Sequence, residues 1–150
     1  MAKLKTLQTP KERLEYAKRL LKNAKEELKK AGTINGVGMY ADYKYVSSAS
    51  GMAFLSALEA LKALFLNFKI FDDTEQMNRK LKKHSLYTQF LKRISQLGKD
   101  RDKLLYLFEA IYDILHLGGY YRELRSKKAI DDGFEKVEKL IRIVEKYVKQ

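Results

Sequence analysis

The amino-acid sequence predicts an all-α protein, an up-and-down bundle of four to five helices in one domain. Apolar residues recur with helical spacing in several segments, and the most apolar segment lacks strand-like alternation. Eight glycines and one proline are too few for a turn-rich β protein. A chain of 150 residues suits a single domain that buries roughly two-thirds of its unfolded surface. We therefore expect one domain over residues 9–150, preceded by a basic lead-in over residues 1–8.

The first helix has a clear predicted start and end. Thr9-Pro10-Lys11-Glu12 matches a capping box with proline at the first helical position. An apolar stripe then keeps helical spacing as far as Gly32, a typical C-terminal stop. The connector over residues 32–41 contains Gly36-Val37-Gly38-Met39-Tyr40-Ala41, formally a G-x-G-x-x-A string. A dinucleotide site needs a strand before that string, and the sequence leaves no room for one, so only anion binding at the next helix N-terminus is expected.

The central helix is predicted over about residues 42–68, and the rest of the bundle is expected to wrap around it. The chain is 33 % charged, yet no charged residue lies between Tyr45 and Leu58. A helix that is apolar or small nearly all round is typical of a buried core position. Glu59 and Lys62 are predicted to mark its one wet edge. The segment is also the only candidate membrane span, but its serines and these two charges favour a soluble core helix.

The second half of the chain is predicted to form three further helical segments. Their predicted bounds are residues 75–97, in two pieces joined near His84-Ser85, residues 100–119, ending at Gly118-Gly119, and residues 130–149. A basic loop that contains Tyr120 and Tyr121 is expected before the last of them. Short connections of this kind predict that neighbouring helices run antiparallel.

The formal net charge of +12 favours a polyanionic partner such as nucleic acid, a nucleotide or an anionic membrane surface. The alternative is that the charge serves solubility alone. The densest basic stretch runs from Arg79 to Lys103, with nine Lys or Arg against two acidic residues. The chain has no cysteine, which excludes disulfides and thiolate chemistry and is compatible with a reducing cytoplasm. Residues 1–11 contain no apolar signal-peptide core, so a cytoplasmic protein is expected.

His116 is the centre of the first candidate site. Asp113 lies three residues before it, and Tyr120, Tyr121 and Arg122 follow just beyond the double glycine. An imidazole, a carboxylate, phenols and a guanidinium could together bind a phosphate or transfer a proton. In an enzyme, the catalytic residues would be His116, Arg122 and Asp113. The alternative is that a helix C-terminus favours the imidazole and that Asp113 only orients it.

Basic residues beside aromatic rings form the second candidate site, a surface for nucleic acid. The chain has ten Tyr and seven Phe, and tyrosine rings can act as stacking platforms for bases. Arg79 and His84 also match an R-x4-H string, although a solvated basic face is the simpler explanation. The predicted binding residues are Arg79, Lys80, Lys82, Lys83, Tyr120, Tyr121, Arg122 and Arg125.

The sequence predicts neither a metal site nor a cofactor. Di-iron helical bundles use paired Glu-x-x-His motifs on facing helices, and this chain has no such motif. Its nearest match is Asp113 with His116. Two histidines without any cysteine supply too few ligands for a catalytic metal.

A family resemblance is carried by the string Tyr112-Asp113-Ile114-Leu115-His116-Leu117-Gly118-Gly119-Tyr120-Tyr121, placed within this order of helices. Over about residues 10–148 the chain resembles the HEPN superfamily of helical bundles, most closely a small bacterial HEPN-like domain of uncharacterised function. The resemblance implies a four- to five-helix bundle that is commonly dimeric. In active members, an R-x4-6-H motif in the fourth helix makes a metal-independent ribonuclease site across the dimer. Other members bind nucleotides or partners, or pair with a nucleotidyltransferase.

The chain departs from that catalytic pattern, because His116 precedes Arg122 where the motif belongs and Arg79 with His84 falls earlier. We therefore predict a homodimeric, non-enzymatic module that binds nucleic acid, a nucleotide or a protein partner through its basic surfaces. One alternative is a toxin-like ribonuclease that uses His116 with Arg122, or Arg79 with His84 of a dimer mate. A second alternative is a purely structural dimer that associates through residues 47–53 or through the fourth helix.

Overall fold

A computed structural model describes residues 7–148, and most of them are helical. The α-helices are α1 (Pro10–Lys29), α2 (Tyr43–Asn67), α3 (Thr74–Lys80), α4 (His84–Lys92), α5 (Lys99–Ile111) and α6 (Lys127–Tyr147). A 3-10 turn (Ser95–Leu97), a π-helix (Tyr112–Tyr121) and two strands, β1 (Thr33–Ile34) and β2 (Met39–Tyr40), complete the described elements. The predicted all-α class is confirmed, and residues 7–148 form six α-helices rather than four or five. Most of the predicted lead-in, residues 1–6, lies outside the described residues.

Helices α1 and α2 pack side by side in antiparallel directions. The predicted capping box at Thr9 is present and begins α1. Near the start of α2, the Ser48 hydroxyl donates a hydrogen bond of 2.8 Å to Glu27, close to the end of α1. Further along, Ser56 donates to the carbonyl of Ala17 at 2.6 Å. The predicted central helix is confirmed, because α2 runs over 43–67 with its most apolar window 67 % buried. Although α2 is long and apolar enough to cross a membrane, this burial is consistent with a soluble protein.

Glu59 is buried, so the predicted wet edge of α2 is wrong at this residue. Only 4 % of Glu59 is exposed. Arg13 of α1 donates to its carboxylate at 2.8 Å, and Lys62 donates at 3.2 Å. A buried carboxylate is tolerated when cations and hydrogen bonds satisfy it. The sequence could not reveal the main partner, because Arg13 lies 46 residues away along the chain.

The connector between α1 and α2 folds into a small hairpin, although the sequence was expected to leave no room for a strand. Thr33 pairs with Tyr40 and Ile34 with Met39 in antiparallel register. Gly36 and Gly38 adopt positive φ angles of 77° and 69° in the turn, a conformation that glycine allows. The G-x-G-x-x-A string therefore covers the hairpin turn and β2, and it does not form a loop that leads directly from a strand into a helix.

The basic segment after α2 forms two short helices, as predicted, with a break slightly earlier than expected. Helix α3 ends at Lys80, and α4 begins at His84. Asp73 caps α3 by accepting a hydrogen bond from the Gln76 amide at 2.8 Å. The break therefore places His84 at the first position of a helix, directly after Lys82 and Lys83.

The helix that was expected to stop at Gly118-Gly119 continues through both glycines as a π-helix and ends at Tyr121. Tyr120 and Tyr121 are thus helical, and the predicted loop is confined to 122–126. The reason is tertiary, because Gly119 lies against Ser50 of α2. A Cβ atom at Gly119 would come within 2.2 Å of the Ser50 Oγ. Glycine here permits close packing on α2 and does not end the helix.

Candidate functional site

The only two histidines of the chain meet at one tyrosine ring. His84, at the start of α4, stacks on Tyr112 with ring centroids 3.6 Å apart and planes 10° apart. His116 contacts the same ring at 5.1 Å and packs on Phe54 of α2 at 4.7 Å. Two imidazoles from positions 32 residues apart in sequence therefore share one aromatic cluster.

The π-helix is what adds Tyr121 to this cluster. The ring centroids of His116 and Tyr121, five residues apart, lie 5.1 Å from each other in an edge-on arrangement. In an α-helix such residues would point about 140° apart, since one turn takes 3.6 residues. A π-helix hydrogen-bonds at a spacing of five residues, so it brings these positions to one side. Tyr120 also stacks parallel to His116, at 5.9 Å.

Two adjoining cavities follow these rings, and we call them together the aromatic groove. The first has a volume of about 390 Å³ and is lined by Phe54, Leu58, Leu81, Lys82, Lys83, His84, Tyr87, Tyr112 and His116. The second, about 570 Å³, is lined by Ser48, Gly51, Met52, Phe54, Leu55, Leu58, His116, Tyr120 and Tyr121. They share Phe54, Leu58 and His116. These volumes lie in the range of small-molecule sites in proteins.

The charged groups around the groove are basic. Lys82 and Lys83 line one end and are exposed. Burial lowers the pKa of His116 below its ordinary value of 6.5, and the neighbouring His84 lowers it further. Burial also raises the pKa of the Tyr87 hydroxyl above its ordinary value of 10. The groove thus combines stacking surfaces, two imidazoles and two lysine ammonium groups.

Half of the predicted binding residues line the aromatic groove. Lys82 and Lys83 lie at one end, and Tyr120 and Tyr121 lie at the other. The remaining four, Arg79, Lys80, Arg122 and Arg125, do not line either of its cavities. Arg79 and Lys80 are exposed in the last turn of α3, while Arg122 and Arg125 follow the π-helix. Their part in binding stays a prediction.

Asp113 does not orient His116, in contrast to the expectation from the sequence. Its side chain is exposed, and within residues 7–148 it makes no hydrogen bond with the imidazole. Asp113 is also not among the residues that line the aromatic groove. The spacing of three residues suits an α-helix, whereas this segment has π-helical geometry. Among the described residues, no group of three or more His, Asp or Glu side chains is arranged to hold a metal ion.

Sequence reasoning missed three aromatic members of the groove, namely Phe54, Tyr87 and Tyr112. Phe54 and Tyr87 sit at core-like positions in their helices, so nothing in the sequence separates them from packing residues. Tyr112 did carry a signal, because it, His116 and Tyr120 recur every four residues. His84 was considered only with Arg79, and its pairing with His116 needed the folded chain.

The fold and the groove together define a small helical-bundle domain whose described part carries an aromatic, imidazole-bearing groove. The model of the family described as "Domain of unknown function (DUF5618)" matches residues 12–146, and the chain belongs to this family. Among solved structures, the chain is similar to a protein of unknown function from Dyadobacter fermentans. The TM-score is 0.71 at 29 % identity, over 94 % of this chain and 99 % of that chain. No curated protein matches the chain.

Proposed function

We propose that the aromatic groove binds single-stranded RNA or a nucleotide without cleaving it. A base would stack on the exposed ring of Tyr121, while a phosphate would contact Lys82 or Lys83. The observation that carries the proposal is the meeting of both histidines at Tyr112, beside two lysines. Imidazoles and ammonium groups donate hydrogen bonds to phosphate oxygens, and aromatic rings offer stacking faces to any base.

Exposure and charge support this assignment. Tyr121 is 65 % exposed, although a large aromatic ring gains free energy when it is covered. Stacking of one base on such a ring contributes about 1–3 kcal/mol. The chain's net charge of +12 would draw a polyanion toward the groove from a distance. A ligand that carries both a ring and a phosphate uses all of these features at once.

The first test is a fluorescence titration of a short single-stranded RNA in EDTA. We expect binding that weakens steeply between about 50 and 200 mM salt, because each phosphate contact releases counterions. The double variant Lys82→Ala/Lys83→Ala should reduce the slope of log K against log salt by about 0.7 for each lost contact. Its matched control is Lys11→Ala/Lys22→Ala, which removes two exposed lysines of α1. This control should weaken RNA binding less, because it lowers the net charge by the same amount but leaves the groove intact.

Equal losses in the two double variants would contradict a site at the groove and would indicate binding by overall charge. Absence of binding at low salt would reject the nucleic-acid proposal altogether. The search for a ligand should then turn to a protein partner. The groove would remain the first surface to examine, because it also exposes Leu55 and Tyr121.

A second candidate function is metal-independent RNA cleavage, and the two converging histidines favour it. Neutral His116 would take the proton of a 2′-hydroxyl, and the 2′-oxygen would attack phosphorus. The bond from phosphorus to the 5′-oxygen would break, and His84, acting as the general acid, would give a proton to that leaving oxygen. The products are a 2′,3′-cyclic phosphate and a free 5′-hydroxyl.

The test for cleavage is incubation of RNA in EDTA beside a matched strand with 2′-deoxy sugars. Cleavage of the first strand alone, lost in both His84→Ala and His116→Ala, would support the ribonuclease. Intact RNA under conditions where it binds would support the non-enzymatic proposal. In this candidate His84 replaces Arg122 as the partner of His116, because Arg122 does not line the groove.

The proposal also includes a homodimer in the cytoplasm, of the kind that the HEPN resemblance implies. Leu55, exposed beside the groove, offers part of an apolar contact surface for a second copy. Sedimentation at micromolar concentration tests this part independently of RNA. A monomeric mass would reject the dimer, together with any site that needs residues from two chains.

A further inference from the structure

We propose that Tyr43 is the positioning residue of the aromatic groove. Its hydroxyl holds the end of the π-helix in the register that places Tyr121 against His116. The consequence for RNA binding rests on the proposed function. The effect on the position of Tyr121 in the groove does not depend on the proposed function, and it can be measured without any ligand.

The Tyr43 hydroxyl makes several hydrogen bonds with the backbone at the end of the π-helix. It donates to the carbonyl of Gly119 at 2.8 Å, and the carbonyl of Tyr120 lies within hydrogen-bond distance at 3.1 Å. It accepts a hydrogen bond from the Glu123 amide at 3.0 Å. Ser47, one turn along α2, adds a longer hydrogen bond to the Tyr120 carbonyl at 3.4 Å. One side chain of α2 thus contacts the backbone of three residues at the end of the π-helix, Gly119, Tyr120 and Glu123.

These hydrogen bonds are needed because the last carbonyls of any helix lack partners within the helix. The chain also leaves the π-helix through Glu123, whose φ of 56° is unfavourable for a residue with a side chain. The Tyr43 hydroxyl contacts two carbonyls and one amide of this turn, and the Gly118 carbonyl accepts two further hydrogen bonds there, from the amides of Arg122 and Leu124 at 3.1 Å each. Without that hydroxyl, the segment has less reason to keep this geometry.

Register matters because it decides where Tyr121 points. Its contact with His116 spans five residues and depends on π-helical geometry. In α-helical geometry Tyr121 would instead point about 140° away from His116 around the helix axis. The contact of Gly119 with Ser50 sets how close the segment lies to α2, whereas Tyr43 sets how it ends.

The direct test is Tyr43→Phe, which removes only the hydroxyl, followed by NMR of the histidine ring protons. The chain has two histidines, so each gives its own resolved pair of signals. We expect the His116 signals to shift while the His84 signals stay in place, since His84 has no ring contact with Tyr120 or Tyr121 among those described. The pKa of His116, read from a pH titration of the same signals, should rise toward 6.5 as water gains access.

The matched control is Tyr45→Phe, in the same first turns of α2. Its hydroxyl makes no hydrogen bond within the described residues, so His116 should not respond. Unchanged His116 signals in folded Tyr43→Phe would overturn the proposal, whether or not RNA binds. If Tyr43→Phe does not fold, Ser47→Ala decides, with a smaller shift of the same His116 signals expected and no shift overturning it. In a protein that binds RNA, Tyr43→Phe should weaken binding severalfold and Tyr45→Phe should not.

Discussion

Two clusters of ionisable side chains lie close together beside α2, and they are built in opposite ways. In the first, Glu59 is buried and has cationic partners in Arg13 and Lys62. In the second, His84 and His116 meet without an acidic partner within the described residues. Tyr87 links the two, because it lines the aromatic groove and its pKa responds to the charges of Glu59 and Arg13.

This difference in partners distinguishes a cluster that stabilises the fold from one that is open to a ligand. In a closed cluster each charge has a partner, so the cluster stabilises one arrangement of the helices. It leaves no unpaired charge or hydrogen-bonding group for a ligand to contact. An open cluster with unpaired donors and exposed rings leaves those interactions for a molecule from outside. Burial and charge alone would rank Glu59 first as a functional residue. The presence or absence of partners reverses that ranking.

The largest expected effect comes from breaking the closed cluster. Glu59→Ala should lower the free energy of unfolding by about 3–5 kcal/mol, because Arg13 would then be a buried charge without its carboxylate. Denaturant unfolding followed by circular dichroism measures the change. RNA affinity of the folded fraction should stay within about twofold of the unchanged protein.

The double replacement Arg13→Met/Glu59→Leu is the control for this effect. Removing both charges and keeping the volume should restore most of the lost stability. A destabilisation as large as that of Glu59→Ala alone would mean that the ion pair has a role beyond mutual compensation. The comparison of a closed and an open cluster would then lose its basis.

The next largest effect concerns the open cluster and uses two tyrosines of equal exposure. Tyr121→Ala should weaken RNA binding by about tenfold, since one stacked base contributes about 1–3 kcal/mol. Tyr106 of α5 is 66 % exposed, against 65 % for Tyr121, and lies outside the groove. Tyr106→Ala should therefore leave RNA affinity unchanged. Equal losses in both variants would place the stacking surface elsewhere.

The smallest effect is a pH dependence in which stability and affinity move in opposite directions. The pKa of folded His116 lies below 6.5, so the unfolded chain binds its proton first as the pH falls through that value. The free energy of unfolding should therefore decrease from about pH 7 downward and level off below the folded pKa. RNA affinity should rise over the same range, because protonation adds a positive charge to the groove.

His116→Ala should abolish most of both trends, which can be followed by thermal unfolding and by RNA titration at each pH. If the pH dependence were as large in His116→Ala as in the unchanged protein, other ionisable groups would be responsible for it. Parallel changes of stability and affinity would contradict the idea that the imidazole meets the ligand.

Several elements of the fold could be predicted because their signals are local. The capping box at Thr9 and the long uncharged run of α2 depend on neighbours within a few residues, and both predictions are confirmed. The break between α3 and α4 was also predicted, within a few residues. The predicted helix end at Gly118-Gly119 was wrong. A glycine can end a helix or allow another helix to pack closely, and the sequence looks the same in both cases.

The sequence alone predicts that the chain is helical, that α2 is its core, and that basic and aromatic residues cluster near the third and fourth predicted segments. Which of these residues contact one another depends on how the helices pack. The pairing of His84 with His116, the ion pair of Arg13 with Glu59 and the capping of the π-helix by Tyr43 each join residues more than thirty positions apart. Such contacts follow from how helices pack, and no pattern of local spacing encodes them.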